Sequence, residues 1–421
     1  KQKSGKLHPG FIDMITKYVN LPLYTKSDIE RSVRNTFDYF FDHIMIGIYV
    51  KIKDNEIHSF CPFFNKDYRN QWSRYIKHIY NKVPEDIIKR WSTNNCLMGS
   101  TKTQSVSNTR LVEFKFLIEQ TCKERTIHDA EFIVNKRDFP VVRKDGKHPY
   151  YHLFKRGHLI NLDFEKPILP VLSVSYHPDY ADIPIPTEDD IRVASGAVLI
   201  NSCDDGYSKK SLEELTTEWK LKKPTAVFRG KATGCGTSTY ANQRLKLSLF
   251  SEKWKTDNRY NEKNTIDGIP FLDAGVTAWN PRPKFLYGTL RTLNPKHLPF
   301  KLARRMSREE QSKYKYMINI DGHVSAFRLG YELRTGSTII KVDSEYGYGT
   351  WFSNLLKPMK HYVPVKADLS NLAEQIRWCK EHDEKAMEIA NNGQRFADKY
   401  LSMESTLSYM ECLLNSIAKK Q

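Results

Sequence analysis

Between Tyr316 and Val342 the chain passes through an apolar strand-like run, a turn, a helix-compatible stretch and a second strand-like run, an order that leaves few ways to fold. Tyr316 to Ile320 reads as a strand ending on Asp321-Gly322, and Ser325 to Arg334 as a helix. Gly336 stands where a helix stops, and Ser337 to Val342 reads as the next strand. Strands joined through a helix run parallel, and a parallel sheet is covered on both faces. The expected class is therefore α/β.

Other segments repeat or surround that unit. Thr225 to Phe228 reads as a strand ending on Arg229-Gly230, followed by a small-residue loop, Lys231 to Ser238, and a helix from about Tyr240. Upstream, Ile44 to Ile52 and Ile57 to Phe63 flank the turn Lys53 to Glu56 as a hairpin. Arg110 to Cys122 has helical spacing, Ala130 to Val134 and Pro167 to Ser175 read as strands, and Asp182 to Thr187 is a proline-punctuated connection. Ser211 to Leu221 reads as a charged helix, and Asn371 to Glu381, Glu384 to Tyr400 and Ser402 to Lys420 as amphipathic helices. With 421 residues the chain suits two domains. We expect a first lobe over 1–215, a second over 216–400, and a terminal helix, 401–421, folding back on the first.

Charge narrows the partners. The chain carries 66 Lys and Arg against 49 Asp and Glu, a net charge of +17, which draws anions. The cations are spread out and no helix-turn-helix, zinc-finger or RNP signature accompanies them, so nucleic acid is a disfavoured partner. Apolar runs such as Val198-Leu199-Ile200 are too short to span a bilayer, and Lys1 to Gly10 lacks the core of a secretory signal. Seven cysteines form no C-x-x-C pair, and none of the 24 Asn begins an Asn-x-Ser/Thr triplet. The expectation is a cytoplasmic protein, or a secretory-lumen one if a leader was removed.

Three places carry candidate chemistry. Asp321-Gly322-His323-Val324-Ser325-Ala326-Phe327-Arg328 runs from a strand end into a helix start, where free N–H groups, small residues and Arg328 suit a diphosphate. Arg229-Gly230 ends the other strand of that lobe, placing a second cation at the same edge. Asp138 lies in a polar turn, Asn135 to Pro140, just past a strand. Each has a bland alternative: a surface helix start, a structural ion pair for Arg229, a self-bonded turn for Asp138.

The stretch Lys313 to Arg328, Gly336-Ser337, and Leu356 to Leu372 resemble glycosyltransferase family 90, which includes the protein O-glucosyltransferases and fungal capsule-associated transferases. Val134 to Pro140, Pro170 to Ser175, Tyr180 to Pro186 and Val227 to Gly230 resemble that family's blocks in the same order, whereas roughly 1–109 shows no family pattern. The resemblance implies a GT-B fold, two Rossmann-like doubly wound lobes with a cleft between them. It also implies a UDP-glucose or UDP-xylose donor and inverting transfer to a hydroxyl of a glycan or protein. By position Asp138 matches the catalytic base, and Arg229 and Arg328 match arginines that bind the donor diphosphate, with Gly230, Asp321, Gly322, Ser325, Ala326 and Phe327 around them. Arg137, Ser175, His177, Asp182, His323 and Glu345 are candidates for acceptor or sugar contacts. Asp343-Ser344-Glu345 is the nearest approach to a D-x-D metal motif, so no metal and no cofactor are expected; the UDP-sugar is a substrate. The rival function is a non-catalytic adaptor for glycan or nucleic acid on the same fold.

Overall fold

The computed structural model describes residues 9–44, 46–64, 109–146, 149, 167–196, 217–257, 260, 270–282, 284–286 and 289–421. The chain divides into two compact units. The first comprises Lys1–Tyr151, Arg156–Ile191 and Met403–Gln421, and the second His152–Lys155 and Arg192–Ser402.

In the first unit, helices α1 (Pro9–Tyr18) and α2 (Lys26–Tyr39) precede a hairpin of β1 (Ile46–Lys53) and β2 (Glu56–Phe64). Its two-residue turn holds Asp54 and Asn55 at φ 53° and 62°, the left-handed region those side chains tolerate. Helix α3 (Thr109–Glu124) leads to β3 (Ala130–Asn135), β4 (Val171–Ser173) and β5 (Ile183–Pro184), followed by α4 (Glu188–Ser195). The sheet order is β2-β1-β3-β4-β5, with β3, β4 and β5 parallel and β1 antiparallel to both neighbours. A turn that short can only join antiparallel strands, so this sheet is mixed. Phe40, Phe63, Ile133, Val141, Leu169 and Val171 fill a core on it. The C-terminal helix (Met403–Ala418) belongs to this unit; Tyr409 on it donates to Pro184 O (2.5 Å), and Asn415 donates to Thr126 O (2.9 Å).

The second unit begins with β6 (Lys223–Lys231), α5 (Gln243–Trp254) and β7 (Leu272–Ala278). A ribbon of β8 (Lys284–Leu286) and β9 (Thr289–Arg291) and helix α6 (Arg308–Ser312) lead to β10 (Tyr314–Asn319). Then follow α7 (Leu329–Glu332), β11 (Thr338–Val342), β12 (Val363–Val365), α8 (Leu372–Glu381) and α9 (Asp383–Tyr400). Its sheet is all parallel in the order β12-β11-β10-β6-β7. Buried on both faces, β10 and β11 read as near-continuous apolar runs, and Tyr316, Ile318, Ile340, Val363 and Phe228 share one core. From β6 the chain steps outward to β7, then returns to β10 and proceeds the other way. The topological switch point thus lies between the carboxyl ends of β6 and β10, where sheets of this kind bind ligands.

Two sequence expectations change. The helix expected over Ser325 to Arg334 is a single turn, Leu329–Glu332. Local bonds absorb the residues before it: Asp321 Oδ1 accepts Ala326 N (3.1 Å) and Gly322 N donates to Val324 O (3.0 Å), so 321–328 is a compact loop. Of the helix expected over Ser211 to Leu221, residues 211–216 lie outside the described residues, and Trp219–Leu221 is a 3-10 turn. Among the described residues no helix is long and apolar enough to cross a membrane.

Arg125 fixes the C-terminal helix. Its guanidinium, 3% exposed, meets Glu404 at 2.6 Å and Glu411 at 3.3 Å. Replacing it strands the Glu411 carboxylate, whose pKa burial already raises and Arg125 lowers. Arg125→Ala is expected to cost about 2–3 kcal/mol in urea unfolding; a change within ~0.5 kcal/mol, the size of an ordinary surface substitution, would show the pair to be ornamental.

Candidate active site

In the first unit, Asp138 rides on a loop clamped from both ends. Asn135, the last residue of β3, is fully buried and closes the turn: its Nδ2 donates to Phe139 O (2.6 Å) and Ser173 Oγ (3.0 Å), and its Oδ1 accepts Arg137 N (2.8 Å). Asp182 seizes the outgoing strand, accepting Val141 N on Oδ1 (2.8 Å) and Val142 N on Oδ2 (2.7 Å). Ser173 joins the two clamps, since its hydroxyl receives from Asn135 and donates to Asp182 Oδ1 (2.5 Å). Asp138 itself is half-buried on this rigid turn.

The other candidates of this unit face inward. Arg137 gives its guanidinium to the Ile44 carbonyl (Nε 3.1 Å, NH2 2.5 Å). Asp182 is buried and spends both oxygens on backbone amides, so it supports the Asp138 loop. Burial lifts its pKa to about 6, against the pull of the hydrogen bonds it accepts, that from Ser173 foremost. Ser175 is fully buried, and His177, 6% exposed, accepts Asp179 N on Nδ1 (3.1 Å).

In the second unit three arginines gather at the switch point. Arg229 pairs with Asp273 Oδ1 through NH2 (2.7 Å) and donates from Nε to Arg304 O (3.0 Å) and from NH1 to Phe228 O (2.9 Å) and Asp273 O (2.8 Å). Four of its five N–H groups are thus committed within the unit. Arg328 is set differently. Its Nε lies 3.1 Å from buried Glu332, its NH1 donates to Arg229 O (2.7 Å), and its NH2 has no partner. Its guanidinium stacks on Phe228 (5.0 Å to the ring centre), and Gly230 leaves room for it: a Cβ there would lie 2.9 Å from Phe228 Cζ and 3.4 Å from Arg328 NH2. Asn319 donates to the second oxygen of Glu332 (2.7 Å), so the carboxylate that orients Arg328 is itself held.

Arg244, near the start of α5, escapes a reading of sequence blocks. Its Nε donates to Asp321 O (2.9 Å), NH2 to Ile320 O (3.0 Å), and NH1 to Lys231 O (3.1 Å) and Thr233 Oγ1 (2.7 Å), tying the ends of β6 and β10 together. Burial, then the neighbouring Arg328 charge, lowers its pKa to about 9. One signal was available: a cation in the first turn opposes the helix dipole, so its charge is used elsewhere.

Beside these arginines lies a small, partly open pocket lined by Gly234, Asp321, His323, Ser344, Glu345 and others. Gly322 permits the close approach of the two loops, since a Cβ would meet Thr233 Oγ1 at 2.6 Å. His323 is buried, its Nδ1 accepting Gly234 N (3.3 Å) and its Nε2 3.3 Å from Asn280. Ser325 is buried with an unpartnered hydroxyl, Phe327 is half-buried, and Glu345 is exposed at the pocket. Desolvation raises the pKa of Asp321. The structure therefore brings Arg229, Gly230, Asp321, Gly322, Ala326 and Arg328 together at one edge. Among the described residues no three of His, Cys, Asp and Glu stand as a metal would need.

Comparison with known proteins gives this arrangement its context. The family model for Glycosyl transferase family 90 matches residues 101–421, which include both Asp138 and the arginine cluster. The chain belongs to glycosyltransferase family 90. Protein 179R of Invertebrate iridescent virus 6 is 37% identical over 91% of this chain, and protein O-glucosyltransferase 2 of Danio rerio is 30% identical over 73%. The chain spans 37% of the length of the first and 50% of the second. The crystal structure of Anabaena HepE in complex with UDP aligns with a TM-score of 0.28 and 8% identity over 47% of this chain and 53% of that one, too slight a likeness to carry anything across. Two α/β units, each on a sheet with parallel strands, are the GT-B class of fold that the family resemblance implies.

Asp182→Asn turns an amide N–H toward a backbone N–H and is expected to destabilise the first unit by about 2 kcal/mol. The sign with pH follows from the raised pKa: the folded state holds the proton more tightly, so the stability contributed is full below the ordinary 3.8 and is lost as pH rises through about 6. Denaturation at a series of pH values should therefore show the wild-type advantage over the variant shrinking across that window. An advantage that grows with pH would contradict the assignment.

Proposed function

We propose that this family 90 chain transfers glucose or xylose from a UDP-sugar to a hydroxyl of a glycan or protein, inverting the anomeric carbon and using no metal. The observation that carries the reading is that one family match spans both a carboxylate on a clamped loop, Asp138, and a guanidinium, Arg328, with an N–H group unspent at the switch point.

Inverting transfer requires a base, attack from the face opposite the leaving group, and positive charge on the departing diphosphate. Asp138 takes the acceptor hydroxyl proton, and the oxygen forms its bond to the anomeric carbon. The bond from that carbon to the diphosphate breaks, its electron pair going to the phosphate oxygen. Arg328 and the Ser325 hydroxyl receive the diphosphate, while Arg229, largely occupied by Asp273, holds Arg328 through its carbonyl and lends charge. Preorganised cations in a partly desolvated site replace a divalent ion in this scheme. The scattered thiols and the lack of Asn-x-Ser/Thr triplets favour cytoplasm as the place of action.

The test uses purified protein, a panel of UDP-sugars and EDTA. We expect slow, EDTA-insensitive hydrolysis of one donor, reduced by about 100-fold or more in Asp138→Asn, with UDP affinity unchanged within about twofold. Hydrolysis that persists in the variant removes Asp138 as base, and loss of activity with EDTA removes the metal-free mechanism. Absence of any UDP-sugar binding would leave the adaptor reading.

A further inference from the structure

From Arg291 to Arg308 the chain carries six Lys or Arg, His297 and no Asp or Glu, a local concentration of positive charge. The segment is seated as a strap along the edge of the second unit's sheet. Ala303 N donates to Val276 O (2.8 Å), and Gly275 admits Ala303 so closely that a Cβ there would lie 2.4 Å from the Ala303 methyl. Leu293, Leu298 and Phe300 pack with Ala232, Leu245 and Val276, and Asn294 caps the turn Pro295–His297. Leu293, Leu298 and Phe300 point in, Leu302 stays exposed, and the cations point out: Lys296, Lys301 and Arg305 are exposed, and none of the three pairs with a carboxylate among the described residues. Arg304, 68% exposed, is balanced through Glu310 (2.8 Å).

Unpaired like charges held on a fixed backbone repel one another, and an anionic partner relieves that cost. Two features select the partner. The strap offers bases only one small ring to stack on, the exposed His297, because Phe300 lies against Trp279 (6.4 Å between ring centres). Its backbone is also bonded to the candidate site, since the Arg304 carbonyl accepts from Arg229 Nε (3.0 Å). We propose that this strap docks an anionic acceptor, a chain bearing carboxylates or phosphates, through Lys296, Lys301 and Arg305; only the word acceptor rests on the transferase reading.

The experiment measures binding of fluorescent peptides, one poly-glutamate and one phosphoserine-bearing with equal charge, beside a DNA duplex. K296Q/K301Q/R305Q is expected to weaken peptide binding by about tenfold and flatten its salt dependence. The control K357Q/K360Q/K366Q, equally exposed cations of the same unit, should leave both unchanged. The tighter of the two peptides identifies the anion. Equal weakening by both variants would mean that net charge alone acts and would overturn the proposal, as would a duplex that binds more tightly than either peptide through the same three residues. UDP-sugar hydrolysis, read separately and expected to be unchanged in both variants, shows whether the transferase reading fails on its own.

Discussion

A guanidinium buried among backbone carbonyls, Arg244, holds together the strand ends on which the candidate site is built. Carbonyl groups at the ends of parallel strands lack ladder partners, and one planar fork satisfies three of them, at Lys231, Ile320 and Asp321. The cation also adds positive potential at the switch point without meeting solvent. Burial without a carboxylate in contact is costly for it, as its lowered pKa shows. A negatively charged ligand is the natural complement to that imbalance.

The two arginines beside it divide the work. Arg229 is anchored by Asp273 and two carbonyls besides, and serves as a fixed wall. Arg328 leans on that wall, on Phe228 and on Glu332, which together set its rotamer while leaving NH2 unspent. The first unit follows the same logic with opposite charge. Asn135, Ser173 and Asp182 use their polar atoms to fix the turn that carries Asp138. In both units the groups that hold are buried, and the groups assigned to chemistry sit beside them.

Much of this is legible in sequence where the physics is local. The strands about Met317 and Ile340 are mostly apolar because both sheet faces are covered, and the Asp54-Asn55 turn declares its hairpin. The ends of the last three helices fall within two residues of those read from apolar spacing. What misleads is competition or distance. The stretch after Asp321 has helical composition, yet the Asp321 carboxylate bonds Ala326 N and leaves only one helical turn. Asp182 looks like a ligand contact because its amide partners lie some forty residues upstream, and Arg229 looks unspent because Asp273 arrives from another strand. Gly230 and Gly322 are visible as turn residues, but the guanidinium and the hydroxyl they make room for are not.

The central claim is that the edge formed by β6 and β10 binds a diphosphate through arginine without a divalent ion. Calorimetric titration of the wild-type protein with UDP and with uridine, both in EDTA, tests it most directly. The account predicts UDP binding tighter than uridine by about tenfold or more, the contribution of charge-assisted hydrogen bonds to phosphate. Equal affinity for the two, or UDP binding that appears only on adding a divalent metal, would contradict it.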